Sequence, residues 1–161
     1  MPTGITVRKQ IDAPPERVFA AATDLANAPK RIEGITRMEL LTPGPVATGT
    51  RFRETRVLFG REATEELEVQ GFEPPRRFSI GCDNHGCRYR TEFRFEPSGE
   101  GTEVELRFEA TPLTLVARVM SVLTRPLMGR LASLCEKDLE DIKRSIESGS
   151  ERESIAGSGD L

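Results

Sequence analysis

Two neighbouring segments, "CRYRTEFRFEP" at 87–97 and "TEVELRFEAT" at 102–111, constrain the fold more tightly than anything else in the chain. Joined by Ser98, Gly99, Glu100 and Gly101, they read as an antiparallel hairpin with Phe95 facing Val104 and Phe93 facing Leu106 on one side. The other side then sets Arg94 against Glu105, Glu92 against Arg107 and Arg90 against Glu109. A slip of one residue turns the apolar set outward, and a slip of two puts like charges opposite each other. Each opposite-charge pair contributes roughly 0.2–1 kcal/mol, so charge and burial specify the same register. Each of these three arginines has an acidic neighbour, which removes them as a stripe for a nucleic-acid backbone.

The same reading extends upstream. In "RFRETRVLF" and "EATEELEVQ", Phe52, Glu54, Arg56 and Leu58 share a face with Ala63, Glu65, Leu67 and Val69, and the glutamates between them form the wet face. A two-residue turn at Gly60 and Arg61, with glycine first as a type II′ turn prefers, sets Leu58 against Ala63, Arg56 against Glu65 and Phe52 against Val69. A third hairpin joins "RFSIGC" to "CRYRTEF" through "DNHG", with Ile80 opposite Tyr89 and Cys82 opposite Cys87. That loop gathers two of the three cysteines and the only histidine. Zinc needs about four ligands, and the Cys-x-x-His-x-Cys order offers three with no other histidine in the chain. A disulfide fits this pairing but not a reducing compartment. A turn flanked by two small, half-buried thiols is the preferred reading, with no metal.

Around the strands, residues 3–11 alternate as a strand, with Ile5, Val7 and Ile11 on one side. Asp12 or Ala13 then caps a short helix, because Pro14 suits a first turn and Glu16 complements its positive end. A second short helical stretch follows at 25–32, weakened by Pro29. From Leu113 the period becomes helical through Val116, Met120, Leu123, Leu127, Leu131, Leu134, Ile142 and Ile146, with a kink or break expected near Thr124 because Pro126 removes a donor. The organisation is one domain over 1–148 and a disordered tail over 149–161. Hydrophobic residues are 37%, charged residues 30%, and the net charge of -3 is interspersed. No extended positive field for nucleic acid results. The opening has no apolar signal region and no eighteen apolar residues run together, so a cytoplasmic protein without stable membrane insertion is expected, as a monomer or weak homodimer.

The order of elements resembles the helix-grip fold of the START and pollen-allergen (SRPBCC) superfamily, and within it the polyketide cyclase/dehydrase and lipid-transport family. The resemblance is carried by "IDAPPERVFA" at 11–20, "GITRMELLTPGPVATGTRFRETR" at 34–56, "FEPPRRF" at 72–78 and "KDLEDIKRSIE" at 137–147, and spans about residues 4–147. It implies an α+β architecture: a curved antiparallel sheet of about seven strands wrapped around a long C-terminal helix, with two short helices after the first strand. It also implies an internal cavity for an apolar or amphipathic ligand, with "DNHG" at its mouth beside Gly60, Arg61 and the Thr111–Leu113 corner. One departure is visible: relatives often carry a tryptophan in the second short helix, where this chain has Lys30 and Arg31 and no tryptophan anywhere.

Such a cavity would be lined by Phe52, Leu67, Tyr89, Phe93 and Phe108 from the strands and by Val116 and Met120 from the helical segment. Glu54, Arg56 and Glu65 would be its polar residues, and charged groups there must be paired or wet. A salt bridge between Arg56 and Glu65 is the expected pairing, with Arg56 also able to orient a ligand carbonyl or carboxylate. No G-x-S-x-G occurs, His85 sits on a turn without a serine or cysteine partner placed for proton abstraction, and "TPGPVATGT" lacks the lysine and helix start of a phosphate cradle. Two functions remain. The first is binding or carriage of a hydrophobic or aromatic, lipid- or polyketide-like molecule without a cofactor. The second is a cyclase, dehydratase or isomerase acting on a polyketide-like substrate, for which Glu54, Glu65 and Tyr89 are the candidate acids and bases. Binding is favoured, since only the resemblance supports chemistry.

Overall fold

The protein is described here by a computed structural model covering residues 3–157, with side chains described for 3–149. Its strands are β1 (Thr3–Ile11), β2 (Ile35–Leu40), β3 (Arg51–Leu58), β4 (Arg61–Glu73), β5 (Arg77–Asn84), β6 (Cys87–Ser98) and β7 (Gly101–Pro112). They form one seven-stranded antiparallel sheet in the order β1-β7-β6-β5-β4-β3-β2. Five hairpin connections thus run in sequence, and only β1 is paired out of order. A bulge between Val69 and Gly71 bends β4, which helps the sheet to curve.

Helices α1 (Pro15–Thr23) and α2 (Ala28–Arg31) fill the connection from β1 to β2. The extended Pro14, rather than Asp12 or Ala13, precedes α1, and Glu16 lies in its first turn. Helix α3 (Leu115–Leu123) is capped by Thr114, whose hydroxyl accepts from the Ala117 amide at 3.1 Å. It ends at Thr124, and a 3-10 turn over Arg125–Leu127 leads into α4 (Met128–Gly157). The break expected from Pro126 is therefore present. The tail expected to be disordered falls partly outside the described residues: α4 runs to Gly157, while the side chains of 150–157 and all of 158–161 are not described.

The core joins Ile11, Val18, Phe19, Phe78, Phe95, Val104 and Leu106 to Leu139, Ile142 and Ile146 of α4. Phe19 packs edge-on against Phe72 and Phe95, each with ring centroids 5.3 Å away. The later turns of α4 are thus pressed onto the sheet. No described helix is long and apolar enough to cross a membrane.

The β6–β7 register is the one that charge and burial dictate, with Phe95 opposite Val104 and Arg94 opposite Glu105. The other two expected registers are each displaced by two residues. In β3–β4 the turn is Phe59–Gly60, with φ of 51° and 79°, and Leu58 pairs with Arg61, Arg56 with Ala63, Glu54 with Glu65 and Phe52 with Leu67. In β5–β6 the turn is His85–Gly86, with φ of 51° and 73°, and Asn84 pairs with Cys87, Cys82 with Tyr89 and Ile80 with Thr91. Positive φ at both central residues is the type I′ pattern, whose twist matches that of the flanking strands; in β3–β4 glycine is second rather than first, and in β5–β6 the expected four-residue loop shortens to two residues. Cross-strand charge is mixed, with Glu54 opposite Glu65 and Arg77 opposite Arg94. Arg51 now faces Glu68 and Arg53 faces Glu66, and Arg88 bonds Asp83 at 3.0 Å. A shift of two preserves every face, so the inward sets stand while their partners change. Cys82 and Cys87 are consequently not opposite each other, and all three cysteines are free thiols.

Candidate functional site: a cavity between the sheet and helix α4

The early turns of α4 stand off from the sheet and leave a cavity of about 330 Å³. Leu58, Ala63, Leu67 and Ile80 line it from β3, β4 and β5, while Phe93, Leu106 and Phe108 line it from β6 and β7. Leu131, Leu134 and Cys135 close it from α4. Gly81 lies in the wall where β5 and β6 approach closely: a Cβ there would meet the Tyr89 carbonyl oxygen at 2.5 Å.

One end of the cavity is charged. Arg56 Nε donates to Glu54 Oε1 at 2.8 Å, and Arg56 Nη1 donates to Asp138 Oδ2 at 2.8 Å. Glu54 and Arg56 are two apart on β3 and so share its inner face, whereas Asp138 reaches in from α4. The three side chains are only 21%, 14% and 17% exposed for Arg56, Glu54 and Asp138 respectively. Burial alone would lower the Arg56 guanidinium, but the two facing carboxylates outweigh it and hold the charge firmly. For Asp138, burial raises the carboxyl above its ordinary range, and the opposing pull of Arg56 does not restore it. With two carboxylates on one cation in a largely buried site, Asp138 is the one whose proton is held more tightly.

The expected Arg56–Glu65 salt bridge is not formed, because Arg56 faces Ala63 and is drawn to Glu54 and Asp138. Glu65 instead accepts from Cys82 Sγ at 3.7 Å. Burial and then Glu65 push the Cys82 thiol up to about 11, and burial and then Cys87 push the Tyr89 phenol up to about 12. Burial, reinforced by Asp138, lifts Cys135 to about 11. At neutral pH these are protonated donors rather than nucleophiles. Among the described residues no three His, Cys, Asp or Glu side chains gather to hold a metal ion.

Of the residues anticipated for this site, Glu54, Arg56, Glu65, Leu67, Tyr89, Phe93 and Phe108 line the cavity. Phe52 does not: it is fully buried in a second core with Leu25 and Val69. Val116 and Met120 do not either, being 74% and 51% exposed on α3. The expected break at Thr124 turns α3 away from α4, so the apolar stripe of α3 does not continue that of α4 into the cavity. Asp138 went unrecognised, although it falls four residues after Leu134 and seven after Leu131 on the apolar stripe of α4. A carboxylate in that stripe was the available signal. Arg31, where relatives often have tryptophan, bonds Asp24 at 3.0 Å instead of entering the cavity. The "DNHG" turn lies beside the start of α3, with the Leu113 amide donating to the Gly86 carbonyl at 2.7 Å.

The family model for polyketide cyclase/dehydrase and lipid transport matches residues 2–147. The chain belongs to that family. No curated protein is similar enough in sequence to match it. Among solved structures, this family member is similar to TTHA0849 of Thermus thermophilus, at 22% identity and TM-score 0.76, covering 92% of this chain and 99% of that one. It is also similar to the Streptomyces aromatase/cyclase Zhui, at 14% identity and TM-score 0.74, covering 91% and 94%. A third likeness is to the di-domain ARO/CYC StfQ of steffimycin biosynthesis, at 13% identity and TM-score 0.74, covering 94% of this chain and 52% of that one. At these identities the likenesses establish the helix-grip fold alone.

Proposed function

We propose that this polyketide cyclase/dehydrase and lipid-transport family member binds a hydrophobic or aromatic, polyketide- or lipid-like molecule in the cavity between the sheet and α4. The observation that carries the reading is a cavity with largely apolar walls and one cation, Arg56, held between Glu54 and Asp138, with Glu65 the remaining carboxylate of the lining. Apolar walls supply affinity for rings or chains, and one guanidinium supplies orientation by donating to a carbonyl, enolate or carboxylate. Glu54 and Asp138 compete with the ligand for Arg56. A native mass spectrum of the chain purified from its own host tests the reading, with a retained, organic-extractable small molecule as the expected result. Titration with anilinonaphthalene sulfonate, an anionic aromatic probe, tests the anchor. Arg56→Met should bind it at least fivefold more weakly while staying folded, and unchanged affinity in a folded variant would leave shape alone as the determinant.

A catalytic reading is favoured by one specific feature, the raised Asp138 carboxyl beside a second carboxylate inside the same cavity. A carboxyl poised to hold or release a proton next to a bound carbonyl is what an aldol-type cyclisation or dehydration needs. Tyr89 would be the second proton donor. Asp138→Asn separates the two readings: it should bind the probe at least as tightly as the parent, and loss of a parent turnover of a poly-β-ketone would make this cavity an active site.

A further inference from the structure

Helix α3 presents its apolar side outward. Its one buried residue is Ala117, and Ser121 on the following turn is half-buried. By contrast Leu115, Val116, Val119, Met120, Val122 and Leu123 are all at least half exposed, from 51% at Met120 to 77% at Leu115. At 3.6 residues per turn these six cover an arc of roughly 160°, with Ala117 and Ser121 on the far side. Isolated exposed apolar residues are ordinary, but a contiguous helical face of them marks an interaction surface. Leu113 and Leu127, just before and just after the helix, extend it at 46% and 41% exposure.

Charge identifies the occupant. Residues 110–135 contain Arg118, Arg125 and Arg130 and no aspartate or glutamate, in a chain whose net charge is -3. Most arginines on the sheet are paired with a carboxylate, yet among the described residues these three make no ion pair or side-chain hydrogen bond. A twofold contact through α3 with a second copy would bring unpaired arginines together with no carboxylate in the segment to meet them. An anionic lipid surface satisfies both features, with acyl chains for the apolar arc and phosphates for the arginines. We propose that α3 and the turn after it dock on an anionic bilayer surface, lying in the headgroup region without spanning it. The helix stands beside the His85–Gly86 turn, at the end of the sheet where Leu58 closes the cavity wall. A docked chain therefore holds its cavity next to the bilayer. This docking goes beyond the ligand-binding reading and does not depend on it, since it requires nothing in the cavity.

Co-sedimentation with extruded vesicles tests it without any cavity ligand. At low salt the parent should sediment with equimolar phosphatidylcholine and phosphatidylglycerol, sediment little with phosphatidylcholine alone, and be released by added salt. Arg118→Gln with Arg125→Gln should lower the partition coefficient about thirtyfold, at about fivefold for each arginine. Val119→Asp with Leu123→Asp should abolish sedimentation. All four positions are exposed, so circular dichroism and melting should match the parent. Absence of sedimentation with the anionic vesicles at low salt, or equal sedimentation with both compositions, overturns the proposal. So does a parent that is dimeric in sedimentation velocity and made monomeric by the aspartate pair, which would assign the face to a second copy.

Discussion

Replacing Arg56 by methionine keeps most of the side-chain volume and deletes the only cation of the cavity cluster. Glu54 and Asp138, at 14% and 17% exposure, then face each other's field with nothing between them. Removing one partner of a fully buried ion pair costs about 3–5 kcal/mol, and the residual water access here reduces that to about 2–3 kcal/mol near pH 7. In a chain of this length that lowers Tm by roughly 4–12 °C. The loss should depend on pH, with a definite sign. Asp138 is already raised in the parent, and removing the arginine that opposes burial lifts it further. Between the ordinary carboxyl range and that lifted value the folded variant binds a proton that the unfolded chain does not, so its stability increases as pH falls through this window. Urea unfolding followed by circular dichroism at about pH 7 and about pH 5 should therefore show the gap to the parent narrowing at the lower pH. A second substitution, Asp138→Leu, should restore part of the loss. A gap under about 1 kcal/mol at pH 7, or an equal gap at both pH values, would refute the claim that Arg56 compensates two buried carboxylates.

Asp138→Asn should free one arm of Arg56, so anilinonaphthalene sulfonate should bind it more tightly than the parent. The parent's own affinity should rise as pH falls and Asp138 takes up its proton, whereas the asparagine variant should be flat; parallel pH profiles would contradict this. Phe59→Asn places a residue tolerant of positive φ in the first position of the β3–β4 turn and should stabilise by about 0.5–1 kcal/mol, read as a rise in the urea midpoint. A fall in the midpoint would mean that the Phe59 ring contributes more than its backbone costs. Thiol titration of the denatured chain should count three free thiols, and metal analysis of protein purified without added zinc should find none in stoichiometric amount. One thiol, or one zinc per chain, would reverse the reading of Cys82, Cys87 and His85 as turn residues.

Much of the architecture was legible because alternation and charge carry independent information. On β6 and β7 both point to one register, and that register is the one found. On β3–β4 turn preference points to glycine first where the chain uses Phe59–Gly60, and on β5–β6 a four-residue DNHG loop is expected where the chain uses the two-residue turn His85–Gly86. Charge does not decide there: the expected β3–β4 pairing already sets Arg53 against Glu68 and Arg56 against Glu65, whereas the observed one gives Arg51 and Arg53 acidic partners but places Glu54 opposite Glu65. The inner-face residues of the site survived that error because a shift of two keeps every face. What did not survive was partnership. Arg56 was assigned to Glu65, while its real partners come from its own strand and from α4, 82 positions away. Contacts of that range depend on how α4 is laid across the sheet, which no local pattern encodes. The same applies to Phe52, whose inward face was right but whose position lies beneath Leu25 in a second core.

The central claim is that the cavity itself, rather than the exposed face of α3, takes the aromatic ligand. Ala63 lines that cavity, and Ala63→Phe projects a ring into its volume of about 330 Å³ without touching α3. Fluorescence titration of this variant with anilinonaphthalene sulfonate measures the claim directly. The folded variant should bind the probe at least tenfold more weakly than the parent, and parent-like affinity would place the aromatic ligand outside the cavity.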